Sequence, residues 1–387
     1  MIQRVAGKTL RRYAKSFPVI CITGPRQSGK TTLAKLAFPR KNYLSLEDPD
    51  IALLARSDPR GFLETWPKGL ILDEAQYVPE LFQYIKTMVD KNPRPGMYII
   101  TGSQQFSLME KVTESLAGRA AFLTLLPFSV AELENAELCG EDPFELMLQG
   151  LYPPIYDRDI SAEDFYSAYI TSYVERDLRQ LVNVRNLSVF QKFIKFCAAR
   201  TGGILNLSSL ATDCGITHNT AEAWISALEI SGLIFLLRPY FNNFGKRLIK
   251  SPKLYFTDPG LACRLLGIQT REQLFLNPLR GGLFESFIIA ELLKNRLNRG
   301  QKPGIWFWRD NTGMEIDCLL EENDKLLAIE IKSGKTFNED MTSGLKHWQR
   351  ISESSAGKRE LALIYAGSQK SSFKGIKLVS WKDVARW

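Results

Sequence analysis

The chain has 387 residues, 45% of them apolar and 24% charged, the mixture of a water-exposed globular protein with room for two or three separate cores. No run of eighteen apolar residues occurs, so no membrane span is expected. Six cysteines are scattered at 21, 139, 197, 214, 263 and 318 with no C-x-x-C pair, which argues against a zinc ribbon or disulfide framework and for a reducing, cytoplasmic compartment.

The net charge of +8 is unevenly spread. Lys and Arg outnumber Asp and Glu by 18 to 14 in residues 1–140 and fall behind by 4 to 9 in 141–187; they lead by 11 to 5 in 188–280 and by 17 to 14 in 281–387. The basic excess of 188–280 suits either a nucleic-acid footprint or a solvated basic face.

In chain order, the first informative stretch is "VICITGPRQSGKTTLAKL", residues 19–36. An apolar strand breaks into Gly24, Pro25, Arg26, Gln27, Ser28 and Gly29, and a helical pattern opens with Lys30, Thr31 and Thr32. Gly-x-x-x-x-Gly-Lys-Thr between a strand and a helix is the phosphate-binding P-loop pattern. Its glycines let backbone N–H groups turn around phosphate oxygens, and the helix adds its positive end. In that scheme Lys30 reaches the β- and γ-phosphates and the Thr31 hydroxyl ligates Mg2+.

"GLILDEAQ" (69–76) reads as a buried parallel strand ending in two carboxylates, at the edge where α/β sheets bind ligands. Asp73 is placed to hold Mg2+ through water, and Glu74 to act as the base on an attacking water. Further strands are expected at 41–46, at 97–103 and at 120–126, which makes a five-stranded parallel sheet covered by helices on both faces. Gln104, beside Ser103 and Gln105, falls at the position from which a polar side chain can sense the γ-phosphate.

Residues 141–187 are acidic and helical in pattern, a bridging lid with a joint at Pro153-Pro154. From 188 to 280 the pattern gives three helices, with a turn at Gly215-Ile216 and Thr217 as a cap, then two strands, "LIFLLRPY" and "KLYFTD". This reads as a helix-turn-helix with a wing. His218 and Asn219 open the third helix. Lys246, Arg247, Lys250 and Lys253 lie between the strands with Tyr240, Phe241 and Phe244 interleaved, a set suited to a phosphate backbone. Such a module also serves in protein docking or as a purely structural lid.

Residues 281–387 read as a helix carrying Glu285, three strands, a helix and a strand. Asp317 lies in the second strand, and Glu330 and Lys332 share one face of the third. A structural salt bridge among them has the same pattern.

"TGPRQSGKTTL", "SLEDPD", "LDEAQYVPELF", "TGSQQFSL" and "ESLAGRAAFLTLLPFSVAEL", with "SYVERDLRQL", "DPGLACRLLG", "GGLFESFIIAELL" and "RDNTGMEIDCLL" further on, resemble a family of bacterial and archaeal AAA-type ATPases. Its members join the ATPase to a winged helix and a nuclease-like C-terminal domain. The resemblance implies ATP and Mg2+ as ligands, with Lys30, Thr31, Asp73 and Glu74 as the working residues. In related ATPases an arginine supplied in cis or across a subunit interface steadies charge on the γ-phosphate; Arg119 is the first choice here, with Arg176 and Arg179 as rivals. Asp, then Glu-x-Lys, resembles the PD-(D/E)XK nuclease fold. That likeness implies Mg2+ at Asp317 and Glu330, Lys332 as an activating cation and Glu285 as a further ligand or its partner.

The expected architecture is therefore α/β: a P-loop ATPase (1–140), a helical lid (141–187), a winged helix (188–280) and a PD-(D/E)XK nuclease-like domain (281–387). Expected partners are ATP and DNA, with self-association or a protein partner left open and no membrane. The rival reading is a scaffold ATPase whose later domains bind proteins and cut nothing.

Overall fold

The computed structural model describes residues 2–102, 115–158, 160–177, 186–240, 250–310, 312–322, 325–352 and 358–386; among these the side chains of 174–177, 352, 358 and 385–386 stay outside the description. Two compact units result. The first is Met1–Phe128 with Ile230–Gly232 and Leu297–Gln301, and the second takes Ser129–Glu229, Leu233–Arg296 and Lys302–Trp387. No described helix is long and apolar enough to cross a membrane.

In the first unit five strands, β1 (Val19–Thr23), β2 (Asn42–Ser45), β3 (Leu70–Asp73), β4 (Tyr98–Thr101) and β5 (Ala120–Thr124), form one sheet in the order β2-β3-β4-β1-β5. Every pairing is parallel. Because alternate residues of a strand face opposite ways, each continuous apolar run feeds two cores. Val19, Cys21, Leu70, Leu72, Tyr98 and Ile100 enter one core, and Ile20, Ile22, Ile71, Ile99 and Leu123 enter the other. Leu33 and Ala34 of α2 (Lys30–Ala37), with Ala6 and Leu10 of α1 (Ala6–Tyr13), cover the second face. α3 (Pro49–Ser57), α4 (Pro59–Glu64) and α5 (Leu81–Lys91) cover the first. Asp48 and Asp58 cap α3 and α4, each followed by a proline at the first helical position.

The second unit opens with short helices at Val130–Asn135, Pro143–Gln149, Pro153–Asp157 and Ala162–Tyr169. Then come α6 (Leu187–Ala199), α7 (Leu207–Cys214) and α8 (His218–Ile230). Asn186 and Asn206 cap the first two, and Gly215, at φ 68°, ends α7 in the left-handed conformation that glycine tolerates best. Trp224 locks α8 onto α6, with ring centroids 5.0 Å from Phe190 and 5.1 Å from Phe193. β6 (Ile234–Leu237) and β7 (Lys253–Phe256) follow as an antiparallel pair.

A six-stranded sheet completes the unit in the order β12-β13-β11-β10-β9-β8. Its strands are β8 (Ile305–Arg309), β9 (Glu315–Glu322), β10 (Lys325–Lys332), β11 (Lys358–Tyr365), β12 (Ser371–Phe373) and β13 (Ile376–Ser380). β10 runs antiparallel to β9 and parallel to β11. α9 (Arg280–Asn298) precedes the sheet, and α10 (Ser343–Ser352) crosses between β10 and β11, burying Leu345 and Trp348 against Trp308. The hairpin of β12 and β13 was not expected from the sequence. It turns on Lys374 and Gly375, at φ 48° and 82°, the two positive values that a tight hairpin turn requires. The free edge of β8 is covered: Tyr240 donates its N–H to the Phe307 carbonyl at 2.8 Å, and Phe307 donates to Arg238 at 3.2 Å.

Candidate nucleotide site and acidic cluster

The loop after β1 has the conformation that its glycines permit. Gly24 sits at φ 145°, and a Cβ there would lie 2.0 Å from the Leu125 carbonyl oxygen, so only glycine lets the loop pass this close to the chain after β5. Gln27 at φ 61° and Gly29 at φ 90° complete the turn into α2. Lys30 is 6% exposed, and its ammonium donates to the carbonyls of Gly24 (3.1 Å) and Pro25 (2.8 Å) across the mouth of the loop. Burial pushes its pKa down to about 8, against the opposing pull of Glu74 and Asp73. The Ser28 hydroxyl is buried and has no hydrogen-bond partner among the described residues.

Asp73 lies directly below this loop. The Thr31 hydroxyl donates to both of its carboxylate oxygens, at 3.0 and 2.9 Å, the Tyr43 hydroxyl donates at 2.8 Å, and the Thr101 hydroxyl donates as well. Register explains the last contact. Leu72 pairs with Ile100, so the next residues, Asp73 and Thr101, stand side by side at the strand ends. Glu74 follows in a left-handed turn at φ 51°, which breaks β3, and Gln76 donates to it.

Two buried guanidinium bonds brace the loop from behind. Arg4, 8% exposed, donates to the Ser28 carbonyl at 2.6 Å and to the Leu126 carbonyl at 2.7 Å, and stacks 4.9 Å from the Phe128 ring centroid. Arg4, Tyr43 and Thr101 are contributors that sequence reading missed. Register alone could have found Thr101; Arg4 lies 24 residues from the carbonyl it holds and gives no such signal.

Arg119 pairs with the exposed Asp90 and donates to the Ala117 carbonyl at 3.0 Å. It precedes β5 and its carbonyl accepts from Val19, at the N-terminal end of the strands, whereas the phosphate loop leaves the C-terminal end. The length of a five-residue strand, about 16 Å, separates it from the loop of its own chain. This placement does not bring Arg119 to the loop of its own chain and leaves supply across a subunit interface as the route by which it would act. Gln104, Arg179 and the side chain of Arg176 lie outside the described residues.

In the helix–hairpin module His218 and Asn219 are exposed at the start of α8, where the Thr217 hydroxyl accepts from the Thr220 N–H at 3.2 Å. Lys250 is exposed, and Lys246, Arg247, Phe241 and Phe244 lie outside the described residues. Lys253 was counted with this basic loop and is corrected: its side chain is 2% exposed and points into the C-terminal domain. Tyr240 likewise packs on Trp306, at 5.6 Å between ring centroids.

The four residues expected to meet in the C-terminal domain do meet. Lys332 donates to Glu330 at 2.6 Å and lies 3.9 Å from Asp317, which itself accepts from the Ile331 N–H at 2.8 Å. Glu285 reaches the same place from α9, within a group in which oxygens of Glu285, Glu315 and Asp317 all lie within 4.8 Å. Burial, then the charge of Asp317, raises Glu285 to about 7 and Glu330 to about 8. Glu315 was missed, although its spacing of two from Asp317 on β9 marks a shared face.

The strand order, the glycine-bounded loop and the Thr31–Asp73 junction define a P-loop domain of AAA type. The sequence agrees: residues 16–134 match the family described as AAA domain, 140–272 a domain of unknown function (DUF8612) and 280–384 a second domain of unknown function (DUF4143). Two uncharacterized proteins, Mb2031c of Mycobacterium bovis and Rv2008c of Mycobacterium tuberculosis, are each 31% identical over 375 residues, 95% of this chain and 81% of theirs. The chain belongs to the family of these proteins. Among solved structures, the Walker-type ATPase PABY2304 of Pyrococcus abyssi is similar with a TM-score of 0.46 and 15% identity, over 67% of this chain and 94% of that one.

Proposed function

We propose that the first unit binds and hydrolyses ATP, and that the chain uses this cycle to act on or sense duplex DNA through its helix–hairpin module, a winged helix. The observation that carries the ATP reading is the Thr31 hydroxyl on both oxygens of Asp73 at 2.9 and 3.0 Å, beneath a glycine loop that holds a buried Lys30. Hard oxygen donors at one point suit Mg2+, and Thr31 and Asp73 are the residues that would hold it. Once bound, Mg2+ supplies positive charge to the β- and γ-phosphate oxygens. The chain's own residues do the rest. Lys30 exchanges its two carbonyl partners for phosphate oxygens, the Ser28 hydroxyl and the loop N–H groups offer donors, and Glu74 orients and takes a proton from the attacking water.

The DNA reading rests on the exposed His218 and Asn219 at a capped helix start, on Lys250, and on the excess of 11 basic over 5 acidic residues in 188–280. Its test is duplex affinity measured against salt, with and without a non-hydrolysable ATP analogue. Neutralising Lys246, Arg247 and Lys250 together should weaken binding and reduce the salt slope by up to about three. Unchanged affinity moves the module to protein docking.

A further inference from the structure

The PD-(D/E)XK frame that the C-terminal domain resembles implies a divalent cation at Asp317 and Glu330, and the residues present do not fit one. The mismatch begins in β7. Side chains two apart on a strand share a face, and here Lys253 and Tyr255 both reach Glu285, the ammonium at 2.8 Å and the phenol at 2.5 Å from one oxygen. The same ammonium pairs with an oxygen of Glu315, its side chain is 2% exposed, and it lies 5.7 Å from the Phe307 ring centroid. It therefore stands between two of the three carboxylates that come close enough to share an ion.

Other oxygens of the cluster are matched in the same way. Arg309 donates to the other oxygen of Glu315 at 3.1 Å, Lys332 to Glu330 at 2.6 Å, and the Ile331 N–H to Asp317 at 2.8 Å. Four carboxylates thus face three cationic side chains, a backbone donor and a phenol. A buried lysine is tolerated only where such pairing replaces its lost hydration. The three cations offset most of the carboxylate charge that would draw a divalent ion, and an ion shared by Glu285, Glu315 and Asp317 would have to displace an ammonium rooted in the β6–β7 pair.

We infer that Lys253 is a built-in cation that takes the place of the divalent metal, closing the acidic cluster and fastening the β6–β7 hairpin to the C-terminal sheet. The acidic cluster is then a metal-free structural junction. This goes beyond the ATPase reading and shares no residue with it.

The test is Mn2+ binding to the full chain without nucleotide, followed by electron paramagnetic resonance, for the wild type, Asp317→Asn, Lys253→Met and the double variant. The wild type and Asp317→Asn should titrate alike through the millimolar range. Lys253→Met should gain a site at least tenfold tighter, and the double variant should lose it. A wild-type site that Asp317→Asn removes would overturn the inference, as would a folded Lys253→Met with no gain. Should Lys253→Met fail to fold, the comparison of wild type with Asp317→Asn decides alone.

Discussion

Raising the pH should loosen ATP binding and tighten the fold at the same time, both through Lys30. Its pKa is lowered by burial from the ordinary 10.5 to about 8 in the nucleotide-free protein. Phosphate oxygens favour the charged form, so ATP binding takes up a proton wherever the free protein has lost it. The charged fraction of Lys30 falls from about nine-tenths at pH 7 to about one-tenth at pH 9, so the Kd for ATP should rise about tenfold, or about 1.4 kcal/mol. Stability moves the other way. The folded pKa is depressed, so the penalty for burying the ammonium is complete below pH 8 and is relieved as the pH climbs toward 10.5, by about 3 kcal/mol in all. Lys30→Met keeps the length and removes the titration, so the difference between the two proteins isolates the effect from other groups. Calorimetric ATP titrations across pH 7–9 and urea unfolding across pH 7–10 measure both slopes. An ATP affinity that stays flat across this range would refute the reasoning.

Gly24→Ala should abolish nucleotide binding and cost about 2–4 kcal/mol of stability, because its Cβ would meet the Leu125 carbonyl oxygen at 2.0 Å; thermal melts with and without ATP check both effects. Arg4→Ala leaves the carbonyls of Ser28 and Leu126 without their guanidinium donor, and should cost about 2–3 kcal/mol and raise the Kd for ATP more than it lowers kcat. Arg4→Lys should recover part of the loss, and equal losses in Kd and kcat would count against bracing of the loop.

The P-loop was legible because its chemistry depends on local spacing: Gly24, Gly29, Lys30 and Thr31 are fixed by one turn of backbone. The parallel sheet was legible too, since strands buried on both faces read as unbroken apolar runs, and β1, β3 and β4 all do. What escaped notice depends on register and distance. Thr101 reaches Asp73 only because β3 and β4 pair as they do, and Arg4 acts across 24 residues on a backbone atom that carries no sequence identity. Lys253 misled for another reason. Three nearby basic residues made it look like part of a solvated loop, whereas its strand neighbour Tyr255, two residues on, shares its true direction. The β12–β13 hairpin hid because one strand is three residues long and too short to show a period.

Single-turnover ATP hydrolysis by the wild type and Glu74→Gln, with nucleotide affinity measured on the same samples, tests the central claim most directly. The variant should bind ATP within about threefold of the wild type and lose at least about 99% of the rate, since Thr31, Asp73 and Lys30 are untouched and the proton acceptor is gone. Hydrolysis at the wild-type rate, or no hydrolysis in either protein, would contradict the assignment of this loop and strand end as an ATPase centre.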